Sequence, residues 1–138
     1  MTTTLAPHVN FDGDARAALD AWAAALGGTV TAATYGQVGA SDDPAWADRI
    51  VFGQVEAPGG AVVMAFDVWP GQAWDRGVDA SYLYLRGSTE EEVTSAFTAL
   101  AEGGQVRVPL GPSAWSPLSG QVLDRFGVVW QLEVVAAG

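Results

Sequence analysis

The segment Asp124–Val134, DRFGVVWQLEV, has the pattern of a turn followed by a strand. A similar segment, GAVVMAFD, begins at Gly60, and the two align without a gap from Gly60 and Gly127 onward. Gly13 and Gly87, each of which precedes a predicted helix, extend this alignment toward the N-terminus of each half. Such internal similarity indicates that one structural unit is present twice.

Each half of the chain contains the same predicted elements, in the order strand, helix and three strands. In the first half, APHVNF alternates like a strand, and Asp12 or Asp14 can cap a helix that Gly27 and Gly28 terminate. The sequence therefore predicts a βαβββ module here. Its helix presents Ala18, Leu19, Trp22 and Leu26 on one face.

The second half begins with the predicted strand ASYLYLRG, followed by a helix for which Ser88 and Glu91 have the spacing of a capping box. Gly103 and Gly104 end this helix, as a glycine pair ends the first. We therefore predict an α+β protein with one domain, 1–138. It contains tandem βαβββ modules at about 5–67 and 80–136, with the segment near 68–79 as their connection.

Composition limits the possible partners of the protein. The 138 residues include 16 acidic and 6 basic side chains, and the net charge of −10 repels nucleic acid. The N-terminus lacks the features of a signal peptide, and no apolar stretch reaches the roughly 18 residues of a membrane span. Because cysteine is absent, thiolate metal sites and disulfides are excluded. We expect a cytoplasmic protein that binds neither nucleic acid nor membranes.

Three stretches carry a family resemblance: VNFDGDARAALDAWAAALGG, RIVFGQVEAPGGAVVMAFD, and the long run from SYLYLRG to DRFGVVWQLEV. Together they resemble the PhnB-like branch of the glyoxalase, bleomycin-resistance and extradiol-dioxygenase (vicinal oxygen chelate) superfamily. The resemblance implies a curved mixed sheet around a concave site, with the helices on the outside, and a homodimer. It implies the fold more strongly than the function, because this scaffold carries several unrelated activities.

Strand alternation divides the side chains between the helix-covered face of the sheet and the concave face. It predicts that Val9, Phe11, Leu83 and Leu85 lie beneath the helices. The loop residue Trp115, with Trp69 and Trp74, is expected to cover the pocket or a dimer interface. The predicted ligand-binding residues are His8, Asn10, Met64, Phe66, Tyr82, Tyr84, Gln131 and Trp115.

Metal-dependent members of the superfamily place ligands on the first and last strands of each module. The resemblance assigns these positions to His8, Met64, Tyr82 and Gln131, which are a poor set of ligands for a divalent ion. We therefore expect no metal and no other cofactor. A shift of two residues in the last strand would instead bring Glu133 beside His8 and allow a weak site.

Simpler structural roles remain open for the same residues. His8 fits a partly buried side chain satisfied by a neighbour, and Tyr82 and Tyr84 fit ordinary half-buried strand positions. Trp22 and Trp130 are expected in the core.

Two functional hypotheses follow from the resemblance and the residues. The first is a protein that binds a small, largely apolar or aromatic molecule in the concave pocket. The second is a lyase, isomerase or dioxygenase-type enzyme in which His8 and Glu133 act on an enolisable substrate. Without a cation, such an enzyme would stabilise the developing oxyanion with Tyr82, Tyr84 or Asn10.

Overall fold

A computed structural model describes residues 2–135 of the chain. The elements in this range are β1 (His8–Phe11), α1 (Ala15–Leu26), β2 (Thr29–Thr34), β3 (Ile50–Glu56), β4 (Val62–Asp67), β5 (Leu83–Gly87), α2 (Glu90–Ala101), β6 (Gln105–Gly111), β7 (Ser119–Leu123) and β8 (Val129–Val134). A short 3₁₀ turn, Pro58–Gly60, precedes β4. The predicted α+β fold with tandem βαβββ modules is confirmed.

The strands form two four-stranded mixed sheets with the same topology, β1-β4-β3-β2 and β5-β8-β7-β6. In each sheet the first and last strands of the module run parallel, and the other neighbours are antiparallel. The chain divides into two compact units between Arg76 and Gly77, within the predicted connecting segment. The predicted end of the second module, at 136, lies outside the described residues.

The pairing register shows that one part of the sequence alignment was wrong. His8 pairs with Met64, and Tyr84 pairs with Gln131, so Tyr84 rather than Tyr82 is the structural counterpart of His8. The misleading residue is Gly87. It lies within β5, where a Cβ would come 2.8 Å from the Val93 side chain, and it is not the equivalent of a loop glycine.

Helix α1 begins differently from the prediction, because neither Asp12 nor Asp14 caps it with its side chain. Asp14 occupies the N-cap position without a side-chain hydrogen bond. The acceptor is Asp67 at the end of β4, whose Oδ1 receives the backbone N–H groups of Gly13 at 2.7 Å and Ala15 at 3.1 Å. A carboxylate from another strand thus satisfies the first turn of α1 and ties the helix to the sheet.

The capping box of α2 lies one residue later than predicted from Ser88 and Glu91. Thr89 is the N-cap, has an extended backbone, and accepts a hydrogen bond from the Glu92 N–H at 3.2 Å. The Glu92 carboxylate accepts in return from the backbone and the hydroxyl of Ser88. Two hydroxyl residues stand side by side here, and Thr89, whose backbone is extended, takes the N-cap position.

The turn that precedes β8 depends on Asp124. Its Oδ1 accepts from the N–H groups of Phe126 and Val128 at 2.9 Å each, and its Oδ2 accepts from the Trp130 indole at 2.9 Å. Gly127 has a positive φ of 85°, which glycine adopts without steric cost. The DRFG sequence therefore fixes both the turn and the buried ring of Trp130.

The predicted helix-facing core is confirmed in part. Phe11, Ala18, Leu19 and Trp22 are buried, whereas Val9, Leu26, Leu83 and Leu85 are half-buried. The buried residues of α2 include Val93, Phe97 and Leu100. No helix within residues 2–135 combines the length and apolar character that a membrane span requires.

Candidate functional site

The side chains of strand β8 alternate between the helix-covered face of the second sheet and the opposite face. Trp130, Leu132 and Val134 are buried, and Leu132 pairs with Gly120, where a Cβ would come 2.8 Å from Phe97 of α2. The alternate positions, Gln131 and Glu133, therefore point away from α2. Tyr84, the partner of Gln131, lies on the same face.

A cavity of about 480 Å³ opens on this face. Four of the predicted ligand-binding residues line it, namely Tyr82, Tyr84, Trp115 and Gln131. The sequence did not identify the other lining residues, although the Gly- and Pro-rich run after β6 was a signal that a loop borders the site. These others are Val108, Pro109, Gly111, Pro112, Ser113 and Ser119.

The loop that carries Trp115 is held by two serines. The Ser113 hydroxyl accepts from the backbone N–H of Ser116 at 3.1 Å, and the Ser116 hydroxyl lies 2.7 Å from the Val134 carbonyl of β8. Ser116 is buried, whereas 67% of Trp115 is exposed. The loop is therefore anchored to the sheet while the indole ring of Trp115 remains accessible at the cavity.

Glu133 is the buried charged residue on this face. Its side chain is 7% exposed, and Oε1 accepts from Arg86 Nε at 3.0 Å. Within the described part of the chain, Oε2 is buried and has no hydrogen-bond partner. Most buried polar atoms in proteins are paired, so this oxygen is an exception that needs an explanation.

Tyr84 links the cavity to this carboxylate. Partial burial raises the pKa of Tyr84, and the neighbouring Glu133 carboxylate raises it further, against smaller opposing effects of Trp115 and Arg86. Both the charge of the Glu133 carboxylate and its hydrogen-bonding interaction with the phenol contribute to this rise in pKa, so the Tyr84 hydroxyl lies beside the carboxylate. The phenol therefore stays protonated and can donate or accept a hydrogen bond at neutral pH.

Gln131 is already engaged within the sheet. The side chain of Gln121, its neighbour across β7 and β8, donates from Nε2 to Gln131 Oε1 at 3.0 Å. This bond orients the Gln131 amide at the cavity wall. The Gln131 amide can make further hydrogen bonds, but it carries no charge.

The other predicted ligand-binding residues belong to the first unit. Neighbouring strands β1 and β4 carry His8 opposite Met64 and Asn10 opposite Phe66. His8 is exposed; its Nδ1 lies 2.8 Å from Asn10 Oδ1, and the Phe66 ring contacts it edge-on at 5.0 Å. His8 is thus satisfied by a neighbour, although it is not partly buried.

The metal positions of the superfamily do not fit a divalent ion in this chain. With the register corrected, they are His8, Met64, Tyr84 and Gln131, one imidazole among a thioether, a phenol and an amide. The amide oxygen is already an acceptor for another glutamine. Residues 2–135 contain no cluster of three or more His, Cys, Asp or Glu side chains that could hold an ion.

Comparison with known families identifies the fold. The sequence profile of the Glyoxalase/Bleomycin resistance protein/Dioxygenase superfamily matches residues 5–132. The chain belongs to this superfamily. No curated protein matches the chain significantly.

Solved structures support the same assignment. The chain is similar to protein PA1353 from Pseudomonas aeruginosa, with 32% identity, a TM-score of 0.82, and coverage of 97% of this chain and 98% of that one. A PhnB protein from Bacillus cereus, described as a putative 3-demethylubiquinone-9 3-methyltransferase, has 23% identity and a TM-score of 0.78 over 96% of this chain and 100% of that one. The PhnB-like resemblance seen in the sequence is thus supported by a shared fold.

Proposed function

We propose that this superfamily member binds a small, largely apolar or aromatic molecule in the cavity of its second unit, without a resident catalytic metal. The observation that carries the proposal is the set of three aromatic rings, Tyr82, Tyr84 and Trp115, that line this cavity while remaining at least 42% exposed. Aromatic surface left accessible in a concave site favours planar ligands. The volume of about 480 Å³ is within the usual range for small-molecule sites.

A titration with 1-naphthalenemethanol, followed by NMR chemical shifts, tests the site. We expect Trp115→Ala to weaken binding about tenfold, because the largest exposed ring of the cavity is lost. Trp69→Ala is the matched control, since Trp69 is also an exposed loop indole but lies in the first unit and packs on Tyr35. Equal affinities of Trp115→Ala and the unmodified protein would contradict the proposed site.

Metal content is a second test. We expect elemental analysis of protein purified without chelator to find no stoichiometric zinc, nickel, iron or manganese, because the four corrected positions offer one good ligand. Added ions should shift the melting temperature very little, since stabilisation requires tight binding to the native state. About one metal per chain would contradict the proposal and favour an enzyme.

The alternative is an acid–base enzyme acting on an enolisable compound through Glu133. It is favoured by a single observation, the unpaired and buried Oε2, which could accept a proton. His8, its proposed companion, is exposed and hydrogen-bonded to Asn10 in the first unit. Turnover of such a compound that is lost in both Glu133→Gln and His8→Ala would support this alternative.

A further inference from the structure

The unpaired oxygen of Glu133 calls for a donor. Its carboxylate accepts from Arg86 at Oε1 and interacts with the nearby Tyr84 hydroxyl, while Oε2 has no hydrogen-bond partner of good geometry among residues 2–135. A buried carboxylate oxygen that lacks a donor costs more free energy than a buried neutral acceptor that lacks one. A group that supplies a hydrogen bond to Oε2 therefore gains binding free energy that the protein alone does not use.

Glu133 lies directly beside the cavity of the second unit. Its cross-strand partner Ser119 lines the cavity, and so does Gln131, two residues earlier on the same face of β8. Tyr84, another lining residue, interacts with the carboxylate itself. Tyr84 is 52% exposed, so core packing does not fix its ring beside the carboxylate.

The charges around the cavity favour a cation over a neutral donor. None of the ten lining residues is a lysine or an arginine. Arg86 is bonded to Glu133 and is 59% exposed. Arg107 pairs through both terminal nitrogens with Asp79 and lies 5.8 Å from the centroid of the Tyr82 ring, so of the three rings Tyr84 and Trp115 are those left to a ligand cation. The faces of the aromatic rings are electronegative and attract cations. The net charge of −10 raises the local concentration of cations.

We infer that the cavity selects an aromatic ligand carrying a protonated nitrogen, whose N–H donates to Glu133 Oε2 while its ring packs against Tyr82, Tyr84 and Trp115. The inference rests on the proposed function, because it specifies the class of ligand for the same cavity. Gln131, whose Oε1 is occupied by Gln121, orients a polar group of the ligand but does not supply the charge recognition.

Three probes with the same ring test the inference: 1-naphthylmethylammonium, 1-naphthalenemethanol and 1-naphthoate. We expect calorimetry to show that the ammonium binds about tenfold more tightly than the alcohol and that the carboxylate binds most weakly. Glu133→Gln should abolish the preference for the ammonium over the alcohol. Glu102→Gln, which removes one exposed carboxylate at the end of α2, is the matched control and should retain it.

The outcomes separate this inference from the proposed function. Binding of none of the three probes would contradict the aromatic site itself. Equal binding of all three, or an ammonium preference that survives in Glu133→Gln, would leave the aromatic site intact and overturn the role of Glu133. Circular dichroism establishes whether the Glu133→Gln variant is folded.

A measurement on the unmodified protein keeps the inference testable if that variant does not fold. At about 1 M NaCl, attraction by exposed carboxylates is screened, whereas a buried contact is screened much less. We expect the preference for the ammonium over the alcohol to persist at this salt concentration. Its disappearance would assign the preference to surface charge and overturn the inference.

Discussion

Asp67 is a single residue on which much of the first unit depends. Its Oδ1 accepts from the N–H groups of Gly13 and Ala15, its Oδ2 accepts from Ile50 at 2.9 Å, and its carbonyl accepts from the buried Tyr35 hydroxyl at 2.5 Å. The side chain therefore joins the start of α1 to β3 and β4. Burial and the proximity of Asp67 raise the pKa of Tyr35, so this donor stays protonated at neutral pH.

We expect Asp67→Ala to lower the free energy of unfolding by about 3 kcal/mol or more, because three backbone donors lose their acceptor. Urea denaturation measures this change. Asp12→Ala is the control: Asp12 is an exposed partner of Arg49, and its loss should cost less than about 1 kcal/mol. Similar losses in the two variants would mean that water replaces Asp67 at the helix terminus.

The caps also show where sequence reasoning about single residues fails. A capping side chain is predicted from neighbours in the chain, but the acceptor for α1 comes from Asp67, which belongs to the last strand of the module. Only tertiary structure brings the two together. At α2 the acceptor is local, and the prediction was wrong by one residue because Ser88 and Thr89 have the same chemistry.

Helix α2 and the second sheet meet at Phe97, which is 8% exposed and faces Gly120 of β7. We expect Phe97→Ala to lower the free energy of unfolding by about 3–5 kcal/mol, because it removes a buried ring and leaves a cavity. Thr98→Ala, on the exposed side of α2, should change it by less than about 0.5 kcal/mol. A loss below about 1 kcal/mol for Phe97→Ala would contradict this packing.

Element order and strand faces were predictable because both follow from local periodicity. The alternation that placed Tyr84 and Gln131 on one face is confirmed by their pairing and by the burial of Trp130 and Leu132 on either side of Gln131. The alignment of β1 with β5 was less predictable, because the sequence does not distinguish a glycine within a strand, such as Gly87, from a glycine in a loop, such as Gly13. The cavity wall formed by Pro112 and Ser113 was missed because an irregular loop has no period.

The chain carries both halves of a duplicated fold, and the sheet of each half has two edge strands. In the second sheet one of them is β6, whose Val106 and Val108 are nearly half-exposed and whose pairing with β7 shifts register twice. Exposed edges with apolar side chains are commonly covered by another chain. Together with the dimers implied by the superfamily resemblance, this supports the proposal of a homodimer.

We expect sedimentation velocity to show a dimer at tens of micromolar, with dissociation on dilution. Val106→Lys places a charge on the open edge and should shift the equilibrium toward the monomer, because the ammonium group is costly to bury. Thr94→Lys on the exposed surface of α2 adds the same charge away from β6 and is the control. A monomer at every concentration would exclude the dimer. A dimer unaffected by Val106→Lys would place its interface away from β6.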